Sequence, residues 1–311
     1  MTKKHSYKVY INKANENWII DRVRKEWIEY KNPHTYFKQF ADVIWVLSPW
    51  TWSKLNFEKY KSKKIICSIH HIEEEKFEKN DYKNFKYFEQ FIDSYHVISL
   101  NTKKQLLKYT DKKINAIPLW ADQNIWFPIE DKYNLRNKYK IDKSSYLVGS
   151  FQRDTEGLDL MSPKLIKGPD RFFEIVKNLN LIHKNLVVLL AGKRRQYIIS
   201  KLEESKIKYL YFEMVPNNIL NELYNCLDLY IVSSRIEGGP QAILECAMSK
   251  TPIISTNVGI APEILSPESI FDMTNFYNAV PNVEIAYENS KELMIPNGFN
   301  KYKEMFEIIL N

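Results

Sequence analysis

The chain has 311 residues, 44% hydrophobic and 14% aromatic, ample for two packed cores, so two domains are expected. No apolar run approaches the ~20 residues of a membrane span, and the opening Met1-Thr-Lys-Lys-His-Ser-Tyr lacks a signal-peptide core, so a cytoplasmic protein is expected. The net charge of +7 is uneven: residues 1–140 hold 27 Lys and Arg against 17 Asp and Glu, and the rest hold 18 against 21.

In chain order, Tyr7–Ile11, Val43–Leu47, Ile65–Ile69, Tyr95–Ser99 and Ile114–Ile117 read as strands. Asn17–Tyr30 reads as an amphipathic helix, with Trp18, Ile19, Val23, Trp27 and Ile28 near one face. Thr102–Tyr109 is a shorter helix. A domain boundary is expected near residue 130, giving domains 1–130 and 131–311. The second half opens with a helix at Lys132–Tyr139. Strands follow at Tyr146–Phe151, Leu186–Leu190, Tyr209–Phe212, Asp228–Val232 and Pro252–Ser255. Helices at Asp170–Leu179, Asn218–Asn225 and Gln241–Met248 alternate with them, and Asn300–Leu310 closes the chain. Alternating strands and helices indicate parallel α/β units. Asp154–Leu165 reads as a long polar loop.

All eight glycines lie at or after Gly149. The first 148 residues therefore hold no glycine-rich phosphate loop, and a nucleotide is expected to bind mainly the second half. Cys67, Cys226 and Cys246 are far apart in apolar segments and read as small buried residues. No Cys/His metal spacing and no nucleic-acid motif is present. The basic first half suits an anionic membrane surface, a lipid-diphosphate acceptor or nucleic acid, or is simply a lysine-rich solvated face. Trp50, Trp52, Phe57 and Tyr60, interleaved with Lys54, Lys59, Lys61, Lys63 and Lys64, fit either a peripheral membrane contact or loop packing. Trp45 is expected in the core.

The most informative segment runs from Leu229 to Glu245. An apolar strand enters Glu237-Gly238-Gly239-Pro240, and a helix follows that carries Glu245. Pro240 suits a helix's first turn. Gly238 and Gly239 let backbone approach a ligand closely. The helix N-terminus offers free N–H groups and a positive dipole end. Eight helical residues span roughly 12 Å, about the distance from the sugar to the ribose of a nucleotide-sugar. An ordinary βα unit with two solvated carboxylates is the alternative.

Other segments stand in order around it: Val148-Gly-Ser-Phe-Gln-Arg153, Lys167-Gly-Pro-Asp-Arg-Phe, Leu189-Leu-Ala-Gly192-Lys193 and Thr251-Pro-Ile-Ile-Ser-Thr-Asn-Val-Gly259. Together they resemble the retaining glycosyltransferases of family 4, with their E-x7-E signature and GT-B fold. The resemblance covers nearly the whole C-terminal half and only loosely the N-terminal half. It implies two Rossmann-like domains with parallel sheets facing a central cleft, and a final helix that often returns to the first domain. It implies transfer of a sugar from a nucleotide-sugar donor to a glycan or lipid-linked acceptor, with retention of configuration and without a metal or other cofactor.

In that family Arg153 and Lys167 match residues that contact the diphosphate, though their spacing here is longer than usual. Glu245 matches the ribose ligand, and Glu237 lies near the transferred sugar. Lys193, after Gly192, is a weaker phosphate or base contact, and Arg194 and Arg195 are either its companions or a solvated run. His70 and His71 follow a strand and either face sugar or acceptor or are turn residues without a role. Asn15 and Asn17 occupy a loop where the family has glycines. The rival readings are a non-catalytic GT-B protein that binds nucleotide or glycan, and a GT-B sugar-nucleotide epimerase or phosphorylase.

Overall fold

A computed structural model describes residues 7–15, 19–74, 77 and 79–311. The chain divides into two compact units. The first runs to Trp120 and takes in Ile295–Asn311, and the second is Ala121–Met294. The division thus falls at Trp120 and Ala121 rather than near residue 130.

In the first unit the described residues form β1 (Val9–Ile11), α1 (Ile19–Glu29), β2 (Val43–Val46), β3 (Lys64–Ile69), α2 (Lys79–Glu89), β4 (Ser94–Val97), α3 (Leu100–Leu106) and β5 (Ile114–Ala116). The strands are parallel and stand in sequence order, β1-β2-β3-β4-β5. Side chains alternate across the sheet. Val43, Trp45 and Ile66 join one core, with Ile20, Val23 and Trp27 of α1 and Tyr302, Met305 and Phe306 of the C-terminal helix Asn300–Leu310. Ile44, Val46, Ile65 and Cys67 join the other, with Phe85 of α2 and Leu106 of α3. Trp27 is fully buried and meets Trp45, Phe299 and Phe306 edge-on at 5.6–6.0 Å, the geometry aromatic rings favour.

The aromatic-lysine stretch is mostly packing. Trp52 and Phe57 are buried, and Trp52 Nε1 donates to Cys67 Sγ at 3.1 Å. Phe57 stacks on Phe91, and Trp50 alone of the four large rings lies exposed. Trp18 and Asn17 lie outside the described residues.

The second unit contains α4 (Lys132–Lys138), β6 (Tyr146–Ser150), α5 (Pro169–Ile182), β7 (Leu186–Ala191), α6 (Gln196–Glu204), β8 (Lys208–Phe212), α7 (Asn217–Cys226), β9 (Leu229–Val232), α8 (Gln241–Ser249), β10 (Ile253–Thr256), α9 (Ala261–Ile264), β11 (Ile270–Phe271) and α10 (Val283–Ser290). Its parallel sheet has the order β11-β10-β9-β6-β7-β8. Leu147, Tyr230 and Val232 face a core with α7 and α8, and Val148, Leu229 and Ile231 face one with α5 and α6. All three cysteines are buried and unpaired. Among the described residues no helix is long and apolar enough to cross a membrane.

Candidate functional site

The chain builds β6, β7 and β8 outward in one direction and then returns to the other side of β6 with β9. Such a reversal opens a crevice at the carboxyl ends of the two central strands. The first unit's sheet, in sequence order, has no such point among its described strands. The loops after β6 and β9 meet at this crevice. Lys167 Nζ lies 2.5 Å from Glu237 Oε1, with the two side chains 25% and 12% exposed. Ser234 Oγ reaches the same Glu237 oxygen at 3.2 Å and Gln152 Oε1 at 3.2 Å. Gln152 Nε2 donates to Lys167 O at 2.7 Å.

Gly168 makes this meeting possible. Its φ is +63°, and a Cβ there would lie 1.9 Å from Ser233 O. Ser233 Oγ donates to Gly168 O at 2.8 Å. Pro169 then starts α5 at the first helical position, where its missing N–H is not needed. Arg235 closes the other flank, holding Asp170 with both guanidinium nitrogens at 2.8 and 2.6 Å.

Pro240 caps α8 one residue before the first helical position, and Ile243 N–H donates to its carbonyl at 3.0 Å. Among the described residues the N–H groups of Gly238 and Gly239 make no hydrogen bond within the protein. Gly259 packs on this turn: with φ of +50°, a Cβ there would lie 2.5 Å from Gly238 O. One turn into α8, Glu245 Oε2 accepts from Tyr224 O–H at 2.7 Å. Tyr224 is 1% exposed, and burial, reinforced by Glu245, raises its hydroxyl far above the usual range. Along the chain the two carboxylates thus flank a turn with an open pair of N–H groups at the head of α8, a setting suited to an anion.

The other expected residues lie on the same sheet edge without joining this contact. Arg153 is exposed, and its Nε donates to Thr155 O at 2.7 Å. It makes no hydrogen bond or ion pair with Lys167 or Glu237. Lys193 is exposed beyond Gly192, whose φ is +90°. Arg195, by contrast, is no part of a solvated run. It is 1% exposed and pairs with Asp154 (3% exposed) at 2.8 Å. It also donates to Ser150 O at 2.5 Å and Ala191 O at 3.0 Å, locking the ends of β6 and β7. Asp154–Leu165 is not uniformly polar. Its base is closed by Glu156 N to Ser162 O at 2.9 Å and Lys164 N to Asp154 O at 2.8 Å, while Leu158 and Met161 stand exposed at its tip. Sequence reasoning missed Gln152, Ser234, Tyr224 and the Asp154–Arg195 pair. Tyr224 falls in the apolar stripe of α7, and an Arg-Arg pair after a glycine carries no sign of burial.

In the first unit, His70 follows β3 and its Nε2 pairs with Leu47 O at 2.8 Å. Burial lowers its pKa, so its imidazole is neutral near pH 7. His71 is exposed and lies 3.6 Å from Glu73. Asn15 has φ of +61°, and its N–H donates to Asp21 Oδ1 at 3.2 Å. Among the described residues no group of three or more His, Cys, Asp or Glu side chains could hold a metal ion.

Residues 161–297, which include Lys167, Glu237 and Glu245, match the family model of glycosyl transferases group 1. The O-antigen biosynthesis glycosyltransferase WclY of Escherichia coli is 25% identical over 209 residues, covering 65% of this chain and 54% of that protein. The chain thus spans about half the length of the curated relatives it matches. HepE of Anabaena, solved in complex with UDP, superposes with a TM-score of 0.75 at 12% identity over 97% of this chain and 100% of that one. A glycosyltransferase from Rickettsia africae gives 0.74 at 15% identity over 99% of both chains. The fold is that of the GT-B glycosyltransferases, with two parallel-sheet α/β domains.

Proposed function

We propose that this protein is a glycosyltransferase of family 4 that moves a sugar from a nucleoside-diphosphate donor to a glycan or glycolipid acceptor, with retention and without a metal ion. The observation that carries the reading is the Lys167–Glu237 contact beside the open N–H groups of Gly238 and Gly239. The match of residues 161–297 to group 1 glycosyl transferases supports it. So do HepE, solved with UDP and with UDP-glucose, and WclY, named for O-antigen biosynthesis.

Breaking the sugar–phosphate bond leaves negative charge on the departing diphosphate. Preorganised N–H donors and a cation at that position lower the barrier. Lys167 is the cation in this reading, the Gly238–Gly239 turn and the α8 N-terminus supply the donors, and Arg153 and Lys193 sit at the rim. Glu245, aimed by Tyr224, takes the ribose hydroxyls. Glu237 holds the transferred sugar and keeps Lys167 in place. Retention follows a same-face path in which a donor phosphate oxygen takes the acceptor's proton. Neutral His70 is the first unit's contact with sugar or acceptor. The basic first unit suits work at the cytoplasmic face of an anionic membrane, where buried thiols stay reduced.

Titration calorimetry with UDP- and GDP-sugars against wild type and Glu245→Ala tests the reading. The variant should bind more weakly, because each hydrogen bond to a charged group contributes about 1.5–3 kcal/mol. Turnover should persist in excess EDTA. Equal affinities remove Glu245 from the ribose role, and activity restored only by added manganese or magnesium overturns the charge assignment.

A further inference from the structure

A cavity of about 230 Å³ opens within the first unit, beside the end of β1. Lys13, Arg24 and Lys38 line it with Tyr10, Asn12 and Tyr36, and no carboxylate lines it among the described residues. A second cavity of about 310 Å³ lies at the amino edge of the other unit's sheet. There Lys132 and Arg136 share one counter-ion, Asp228, at 2.8 and 2.6 Å, and Lys143 also lines the cavity. The first cavity's cations have no such counter-ion among the described residues.

Arg24 and Lys38 are also held in place. Arg24 Nε donates to Ile11 O at 3.1 Å, which anchors the guanidinium and leaves its two terminal nitrogens without a protein partner among the described residues. Lys38 Nζ sits over the rings of Tyr10 and Tyr60 at 5.7 and 5.9 Å, a cation–π contact that restrains a long side chain. Asn12 is buried, and its Oδ1 accepts from Leu47 N–H at 2.8 Å. A planar guanidinium fork and two ammonium groups lining one cavity suit the oxygens of a phosphoryl group.

We propose that this cavity binds a phosphate or diphosphate group on the substrate that receives the sugar. That the group belongs to the acceptor rests on the glycosyl-transfer reading, whereas the anion preference rests on the cavity alone. It gives the protein a phosphoryl site in the first unit separate from the donor site of the second.

Inorganic pyrophosphate is the probe, titrated by calorimetry at saturating UDP so that the donor site is filled. Wild type should bind it saturably, and Lys13→Glu/Lys38→Glu should weaken it by at least about tenfold while leaving UDP affinity unchanged. Lys13→Glu alone should show part of the loss, which keeps the test open if the double variant misfolds. Co-sedimentation then separates two sources. Phosphatidylglycerol vesicles bound by wild type but not by the double variant indicate a lipid headgroup, and pyrophosphate binding without vesicle binding indicates a soluble phosphate ester. Pyrophosphate affinity equal in wild type and variants, or absent in wild type, overturns the proposal. If UDP does not bind, the donor reading falls, and the pyrophosphate difference still decides the cavity.

Discussion

Gly168 joins the two halves of the candidate site through its backbone alone. Its left-handed conformation is strained for any residue with a Cβ, and an added methyl would overlap Ser233 O. Gly168→Ala is therefore expected to lose on the order of 3 kcal/mol of stability and to move Lys167 off Glu237. Urea unfolding measures the first effect. A midpoint within error of wild type would mean that the Ser233 loop yields at little cost. Tyr224 acts on the other carboxylate. Tyr224→Phe keeps the ring in its packed place beside Phe151 and Tyr230 but removes the O–H that aims Glu245. The expected result is a roughly tenfold loss of nucleotide-sugar affinity, with stability reduced by about 1 kcal/mol. Unchanged affinity would show that Glu245 is oriented by its other contacts.

Paired elements carry the next effect, in the first unit. Trp45 Nε1 on β2 donates to Ser68 Oγ on β3 at 2.8 Å, and Ser68 Oγ in turn meets His96 Nδ1 on β4 at 2.8 Å. His96 Nε2 pairs with Ile117 O at 2.9 Å, which requires the Nε2–H tautomer. Burial pushes its pKa down to about 4 from an ordinary 6.5. The unfolded chain then binds the proton more readily between those values. Stability is full above about pH 6.5 and falls as pH drops towards about 4, by up to about 3 kcal/mol. Burial lowers the His70 pKa too, which adds in the same direction. Urea midpoints at pH 7.5 and pH 5 should differ, and His96→Asn should flatten the difference; an equal slope in that variant would falsify the assignment. The same strands show how much was legible. Val43–Val46, Lys64–Ile69 and Leu229–Val232 were readable because they are buried on both faces, which produces continuous apolar runs. Helix α2 was not: Lys and Asn interrupt its aromatic residues throughout Lys79–Glu89, and only Phe85 among its described residues is buried. Helix α6 was hidden for a related reason, since only Ile198 and Leu202 of it are buried, with Ile199 partly so. At the site, glycines and charged residues at strand ends were legible in type and order. Which of them touch was not, because the Lys167–Glu237 contact spans 70 positions of chain and depends on Gly168.

At the scale of the whole molecule, charge and core follow the two units. The first, counting residues 1–120 and 295–311, holds 25 Lys and Arg against 16 Asp and Glu, and the second holds 20 against 22. The +9 unit is also the one completed by the chain's last residues. Phe299, Tyr302, Met305 and Phe306 are at most 3% exposed and pack on Trp27, Trp45 and Trp120. Each such side chain contributes about 2–5 kcal/mol by its burial, so a chain ending at Met294 should lose the first unit's folded core. The second unit's core draws on residues 121–294 and contains the whole candidate donor site. Two transitions are expected by calorimetry in the full chain, since each unit has its own core. UDP should raise the one belonging to the second unit, because a ligand stabilises only the fold that binds it. The truncated chain should lose the UDP-insensitive transition and keep the UDP-sensitive one. If truncation leaves both transitions in place, the C-terminal helix is not needed by the first core. If it abolishes the UDP response, the donor site is not built from residues 121–294 alone.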